Sequence, residues 1–349
     1  MILTLYGPET TDFSGSGLGA LEDVRNDEVR EVLNGQFELT LQYPVAGRLF
    51  FELQRDAYIT ARPNALMGPQ PFRIYRIQKA LNGWVTVYAR HISYRLRTIV
   101  CRYISGSNAA ESVASLKTNA VGECPFEFFT DIDSTLTTRT WYPMTIWKLM
   151  GTDEYMLQGT YGGDWELDGY NVRLLRERGT YRGMQIFYGV NMRDVQRDAE
   201  YADRFNGIYA YRLDDYGIAI EEAMVMCSDY VEGMERRLEP RDYTGKYPDK
   251  TAAYLAETDL LLEGISAARP EEQSVKVDFE RLSRTEEYRD MQIPDAIGMG
   301  DKVDIFHEAL GINARWRVTE IRYQPSTGKY KSIVLGNPPK SVVQTILRR

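Results

Sequence analysis

The stretch Gly162-Gly163-Asp164-Trp165-Glu166-Leu167-Asp168-Gly169-Tyr170-Asn171-Val172-Arg173-Leu174 decides the reading of this chain. Asp168-Gly169 is the two-residue signal of a type I′ hairpin, whose central positions both need positive φ. The apolar residues on either side then belong to two short paired strands. Upstream, Thr145-Ile146-Trp147-Lys148-Leu149-Met150 is a short helix-like apolar run. Downstream, Arg178-Gly179-Thr180-Tyr181-Arg182-Gly183 forms a second glycine-bearing turn before an apolar strand from Met184 to Tyr188, and Gly189 to Asp194 closes the unit. Nothing between Trp141 and Asp194 pairs a nucleophile with a base. The segment is dense in structural signals and poor in chemistry, which points to a protein that builds something.

Working outward, the first hundred residues read as antiparallel β. Phe37-Glu38-Leu39-Thr40-Leu41-Gln42-Tyr43 alternates without error, so its odd positions are expected on a buried face. Asn34-Gly35 and Pro44 bound it. Arg48 to Leu53 and Ala57 to Ala61 read as two further short strands. Phe72 to Leu81 and Trp84 to Ile92 flank Asn82-Gly83, again the I′ pair. Short strands with turn signals at this spacing suggest a small barrel or sandwich.

The pattern then changes. Asn108 at the N-cap and Glu111 at N3 have capping-box spacing, and Ala110, Val113, Leu116 and Ala120 follow at helical intervals, predicting a helix over 109–119. Met192 to Asp203 is compatible with a helix, and Ile208 to Leu213 is a Tyr-rich strand. A second helix is marked by the apolar stripe Tyr254, Leu255, Thr258, Leu261, Leu262 and Ile265, with Glu257, Asp259 and Glu263 opposite and Arg269-Pro270 as its stop. Val275, Val277 and Phe279 resume β alternation. Val303 to Phe306, Ala314 to Tyr323 and Tyr330 to Leu335 are the last strands, with Pro325 to Gly328 as the final turn.

Composition fits a soluble folded protein made inside the cell. The 349 residues suffice for two or three domains, at 43% hydrophobic and 26% charged. No apolar run is long enough to span a bilayer, and Met1 to Tyr6 lacks the layout of a secretory signal. Cys101, Cys124 and Cys227 are widely spaced, which fits buried free thiols. A net charge of −8 argues against gripping nucleic acid through its phosphates.

The order of these motifs resembles the baseplate-hub, or tail-associated, proteins of long-tailed phages and prophages, the prophage endopeptidase tail family. The resemblance rests on four blocks. They are Asn34 to Pro44; Gln70 to Tyr75 running on to Ala89-Arg90-His91-Ile92-Ser93-Tyr94-Arg95-Leu96; Gly163 to Leu174 with Arg178-Gly179 and Gly189-Val190-Asn191-Met192; and Gly298-Met299-Gly300-Asp301-Lys302-Val303 through Leu335-Gly336. It implies a β-rich, multidomain α+β chain with two barrels related to tail-tube proteins and α+β insertions. The expected layout is a first β-barrel over 1–100, an α+β domain over 101–190, a second β-barrel from 191–240 with 272–340, a helical insertion at 241–271 and a C-terminal tail at 341–349. It further implies a homotrimeric ring at the virion tail tip, made in the host bacterial cytoplasm. The distal tail protein and the tape-measure protein would be its partners. Some relatives carry a peptidoglycan hydrolase in a C-terminal extension, so any such activity is expected outside these 349 residues.

No catalytic, metal or cofactor-binding residue is expected. Gly15 to Gly19 has neither the strand context nor the Lys-Ser/Thr of a phosphate loop and reads as a flexible connection. His91 and His307, the only histidines, each neighbour a core-type residue and read as structural. Asp131 with Asp133, Asp214 with Asp215, Glu221 with Glu222 and Glu271 with Glu272 are the carboxylate pairs that a glycoside hydrolase would need, though such pairs are ordinarily solvated. The 24 tyrosines suit subunit interfaces or sugar stacking, so a cell-wall hydrolase or carbohydrate-binding module is the competing reading. A channel that passes DNA without trapping it is expected to be lined by carboxylates, with Asp56, Asp304 and Glu308 as candidates.

Overall fold

Alternation along Phe37–Pro44 becomes burial: Phe37, Leu39, Leu41 and Tyr43 are buried and the residues between them half-buried. The computed structural model describes residues 3–79, 82–153, 155–188, 191–200, 205–263, 265, 272–279, 296–307 and 312–336. The chain divides into two compact units, Met1–Gln196 with Val275–Arg349, and Arg197–Ser274.

In the larger unit, Phe37–Pro44 pairs antiparallel with Arg25–Val32 on one edge and Trp84–His91 on the other. The order continues through Gln70–Lys79, Tyr58–Ala61, Thr4–Tyr6 and Gly19–Ala20. One edge of the long strand Ile312–Gln324 is shared: its first half pairs with Lys302–His307 and its second half with Arg25–Val32. The opposite edge holds Lys329–Gly336. From there the sheet extends through Glu272–Phe279 to Met192–Glu200, while Tyr181–Phe187 pairs parallel with Lys302–His307. The fold is therefore β-rich, organised on a 13-stranded sheet that branches at one strand. Among the described residues no sheet closes on itself; the ends Tyr188 and Met192 meet in a single isolated bridge. One apolar core lies under the first strands and includes Leu41, Phe72, Ile104 and Trp165, and a second packs Ile186, Val277, Ile305, Val318 and Ile333.

Helix Ala109–Thr118 is capped as its sequence demands. Asn108 Oδ1 accepts the Glu111 N–H at 2.8 Å, and the Glu111 carboxylate reaches back to Ser107 N and Oγ. Residues Glu127–Thr130, Asn171–Leu175 and Asp164–Asp168 form a separate three-stranded sheet.

Several expectations are corrected. Asp168 pairs with Asn171, so the central turn residues are Gly169 and Tyr170, and only Gly169 has positive φ (+58°). That is the type II′ pattern, fixed from outside the hairpin by Gln70, whose Oε1 accepts the Gly169 N–H at 2.7 Å and whose Nε2 donates to Asp168 at 2.9 Å. Asn82-Gly83 is not the centre of a two-residue turn, since the Lys79–Val85 pairing sets a register that does not centre on it and, of the two, only Gly83 has positive φ; Ala80 and Leu81 lie outside the described residues. Arg48 to Leu53 contains a short 3₁₀ turn, Phe50–Glu52, instead of a strand; Leu49 N–H donates to Tyr43 Oη and Phe50 N–H to Gly47 O, which bends the chain. Met192–Glu200 is a strand, not a helix, because a neighbouring strand, Glu272–Phe279, supplies backbone partners that outweigh a weak helical period. Arg25–Val32, absent from the sequence reading, buries Asp27, Val29 and Glu31 on one face, so two of its three inward residues are charged.

The Arg197–Ser274 unit has a three-stranded sheet, Ala219–Met226, Gly207–Leu213 and Leu238–Asp242, with helix Ala252–Leu262 on one face. The helix buries Ala252, Leu255, Ala256 and Leu260, and leaves Tyr254, Leu261 and Leu262 exposed, contrary to the expected stripe. Its rotation is set by polar clamps. Arg241 pairs with Asp259 and Glu263, and Tyr243 Oη donates to Asp259 at 2.6 Å, so the acidic side meets the sheet while the small alanines permit close approach.

Candidate assembly surfaces and their buried junction

At the end of Arg25–Val32, Glu31 and the following Asn34 meet Arg178 and the Asp164-Trp165 pair in a buried polar junction. Glu31 and Arg178, both buried, pair at 2.7 Å. Asp164 Oδ2 accepts the Arg178 N–H at 3.0 Å and pairs with Arg317, which itself donates to Arg178 O at 2.6 Å and Gly300 O at 3.2 Å. Asn34 Oδ1 accepts the Trp165 N–H at 2.8 Å while its Nδ2 donates to Asp164 Oδ1. Asp301 accepts from Thr180 N, Gly298 N and Arg182 Nε. A side chain at Gly179 is impossible without movement: φ is +86°, and a Cβ would lie 2.1 Å from Gly300 C. Buried pairs of this kind add little net stability over apolar packing, but losing one partner strands a charge, so they fix geometry. The junction locks the hairpin, the 178–182 turn and the branching strand together.

Both histidines and one member of each of three carboxylate pairs have structural partners. His91 is fully buried, stacked on Phe37 with ring centroids 4.3 Å apart, its Nδ1 at 2.9 Å from Ser93 Oγ and its Nε2 at 3.2 Å from Gln70 Oε1. Burial and, secondarily, the Arg178 charge push its pKa down to about 3, so it is a neutral core residue. His307 is buried against the Tyr188 ring. Asp131 caps Arg176 N, Asp214 caps Tyr216 and Ile218 N, and Glu221 accepts the Ala252 N–H and pairs with Arg212. The pair Glu271 and Glu272 lies outside the described side chains. Among the described residues no cluster of three His, Cys, Asp or Glu is arranged to hold a metal. Cys101 and Cys227 are buried and Cys124 half-buried, all as free thiols, with burial raising the pKa of Cys101 and of Cys124. The Gly15–Gly19 loop is pinned, since the Tyr6 hydroxyl lies within hydrogen-bond reach of both Phe13 O and Gly15 O and the Leu18 N–H donates to Leu5 O.

The candidate channel residues are engaged by arginines. Asp56 pairs with Arg73 at 2.7 Å, and Asp304 with Arg315 at 2.7 Å while accepting from Tyr181 Oη. Those contacts, Arg315 foremost, hold the Asp304 pKa below the usual carboxylate range. Glu308 lies outside the described residues.

Two surfaces stand out instead. Across five neighbouring strands the sheet carries an ion-pair ladder: Arg90 with Glu38, Arg30 with Glu320, Arg322 with Glu320 and Lys331 with Glu28. Beside it Arg97 lies over Tyr94 (4.4 Å) and Trp147 (4.7 Å), and Arg90 over Tyr75 (4.1 Å), a Tyr/Trp/Arg composition typical of interface hot spots. The second belongs to the smaller unit, whose sequence is acidic. Arg197–Ser274 holds 18 Asp and Glu against nine Lys and Arg, a net −9, which leaves +1 for the other unit of a chain at −8. Sequence reading counted the charge without locating it, although a sum by segment would have found it.

The chain-long β scaffold with its branched sheet is shared, as a fold, with solved structures of phage tail proteins. Prophage tail protein gp18 from Listeria monocytogenes EGD-e matches 99% of this chain and 98% of its own, with a TM-score of 0.65 at 16% identity. The 43 kDa tail protein of prophage MuSo2 from Shewanella oneidensis matches at 0.63 and 13% identity over 97% and 99%. The tail protein from Neisseria meningitidis MC58 matches at 0.63 and 9% over 96% of each chain. At these identities the shared property is the fold. No family model matches the sequence, and no curated protein matches it.

Proposed function

We propose that this chain is a structural phage-tail protein, a baseplate hub that forms a homotrimeric ring at the virion tail tip. The single observation that carries the reading is the end-to-end match to three prophage tail proteins. In this proposal 1–100 and 191–240 with 272–340 contribute two tail-tube-like barrels per subunit, with 101–190 and 241–271 as insertions and 341–349 as a tail. Open edges such as Gly19–Ala20 and Met192–Glu200, each paired on one side among the described residues, are the kind of liability that ring closure removes. The Tyr, Trp and Arg cluster supplies interface chemistry. The ring continues the tail tube, joins the distal tail protein to the tip, and receives the end of the tape-measure protein. DNA passes through it without tight binding, past a lining in which Asp56, Asp304 and Glu308 take part. Because Asp56 and Asp304 already hold arginines, that lining is closer to neutral than the chain's −8 implies. The chain carries no reaction or cofactor of its own.

Native mass spectrometry of concentrated protein, together with imaging of tail particles, tests the reading. A three-subunit species or a threefold ring is expected. A strict monomer at high concentration with no ring in tails overturns it, as does muropeptide release from peptidoglycan that is lost on substituting one acidic pair.

A further inference from the structure

Within the Arg197–Ser274 unit the sheet has one covered face. Ile208, Ala210, Glu221 and Arg241 are on the helix side, as their burial and helix contacts require. Alternation assigns Tyr209, Tyr211, Glu222, Met224, Leu238 and Pro240 to the other face. Register puts Tyr209 between Met224 and Pro240, and Tyr211 between Glu222 and Asp242. Met224 is 46% and Leu238 37% exposed, and neighbouring Ile220 67%. A sheet ordinarily buries both an inner and an outer layer or turns polar residues to water, and a bare aromatic and Met-bearing face does neither.

We propose that this face is the docking site of a cationic protein partner, one presenting Lys or Arg around aliphatic side chains. Charge selects the occupant. The unit is at −9, with Glu222 and Asp242 on the bare face itself, so nucleic acid and anionic lipid are repelled. A second copy of the chain is a poor occupant too: the same unit brings −9 against −9, and the remainder of the chain, at +1, has no complementary excess. Tyr209, whose hydroxyl bonds to Glu222, and Tyr211 give rigid contact area, and Met224 adapts to the partner's shape. The setting in a tail rests on the proposed hub role, whereas the surface chemistry does not.

The test has two arms on the full chain. In the first, a synthetic strand peptide of alternating Lys and Leu is titrated against the free protein under hydroxyl-radical footprinting, beside a Glu-Leu peptide of equal length. Loss of Met224 labelling with the Lys peptide alone is expected, reversed by salt, with Leu261 and Leu262 on the helix unaffected. Equal action of both peptides, or protection away from the sheet face, overturns the proposal. In the second arm, tails carrying the chain are treated with a carbodiimide, and Glu222 and Asp242 are expected to couple to lysines of a different polypeptide. Coupling only to other copies of this chain, or a Met224 that stays reactive in tails, overturns it. If the chain is missing from tails the hub reading fails, and the peptide arm decides the surface. Glu222→Lys with Asp242→Lys should abolish both signals while circular dichroism stays unchanged; should it fail to fold, Met224→Ser takes its place, with loss of peptide protection at Tyr211 expected and retained protection counting against the site.

Discussion

Acid is expected to unlock the core through His91. The imidazole lies against Phe37 and Phe72, both its nitrogens have neutral partners in Ser93 and Gln70, and its pKa is pushed from 6.5 to about 3, by burial first and Arg178 second. A base whose folded pKa is lowered takes up its proton more readily when unfolded. Its neutral burial is therefore fully tolerated above pH 6.5, and stability is lost progressively as pH falls through 6.5 towards 3. At about pH 5 the unfolded ring is roughly 1.5 units below its pKa, which amounts to about 2 kcal/mol, rising to about 5 kcal/mol near the folded value. Denaturant unfolding followed by tryptophan fluorescence reads the right unit, because Trp84, Trp141, Trp147, Trp165 and Trp316 all belong to Met1–Gln196 with Val275–Arg349. His91→Gln should begin less stable yet lose less on going from about pH 7 to about pH 5, the difference between the two slopes being about 2 kcal/mol. With only two histidines, the imidazole resonance missing in the variant identifies His91 directly. A His91 titration midpoint near 6.5, or parallel pH slopes for wild type and variant, would refute the reasoning.

Other perturbations separate the junction from ordinary packing. Arg178→Ala leaves Glu31 charged and buried without its partner, and should cost about 3–5 kcal/mol in denaturant unfolding, most of it restored by adding Glu31→Leu; a loss under about 1 kcal/mol would mean the pair is not buried as described. Gly179→Ala should prevent normal folding because its Cβ meets the Gly300 backbone, whereas Gly122→Ala, at a similar φ of +80° but in open space, should cost only about 1 kcal/mol. Leu260→Ala should destabilise the Arg197–Ser274 unit by about 2–4 kcal/mol while Leu261→Ser stays within about 0.5; reversal of that order in hydrogen exchange of the unit would put the helix in the wrong rotation.

What the sequence determined alone is whatever local periodicity controls. Phe37 to Tyr43 and Val303 to Phe306 alternate strongly enough that strand and buried face follow from the two-residue repeat, whereas Tyr330 to Leu335 is legible as a strand but buries residues of both faces. Asn108 with Glu111 fixes the start of its helix by hydrogen bonds that span three residues. The structural character of His91 was legible from its apolar neighbours. Tertiary structure decided the rest, wherever distant partners supplied the free energy. Arg25–Val32 lacks an apolar period because its inward Asp27 is bound by Ser326 and Gln324, and its inward Glu31 by Arg178, all far along the chain. Gln70 chose the turn at Gly169 from outside the hairpin, Glu272–Phe279 made a strand of Met192–Glu200, and Arg241 turned Asp259 and Glu263 towards the sheet. The unequal charge was written in the sequence all along and a sum by segment finds it; what the tertiary structure decided is that this acidic segment is a compact unit of its own.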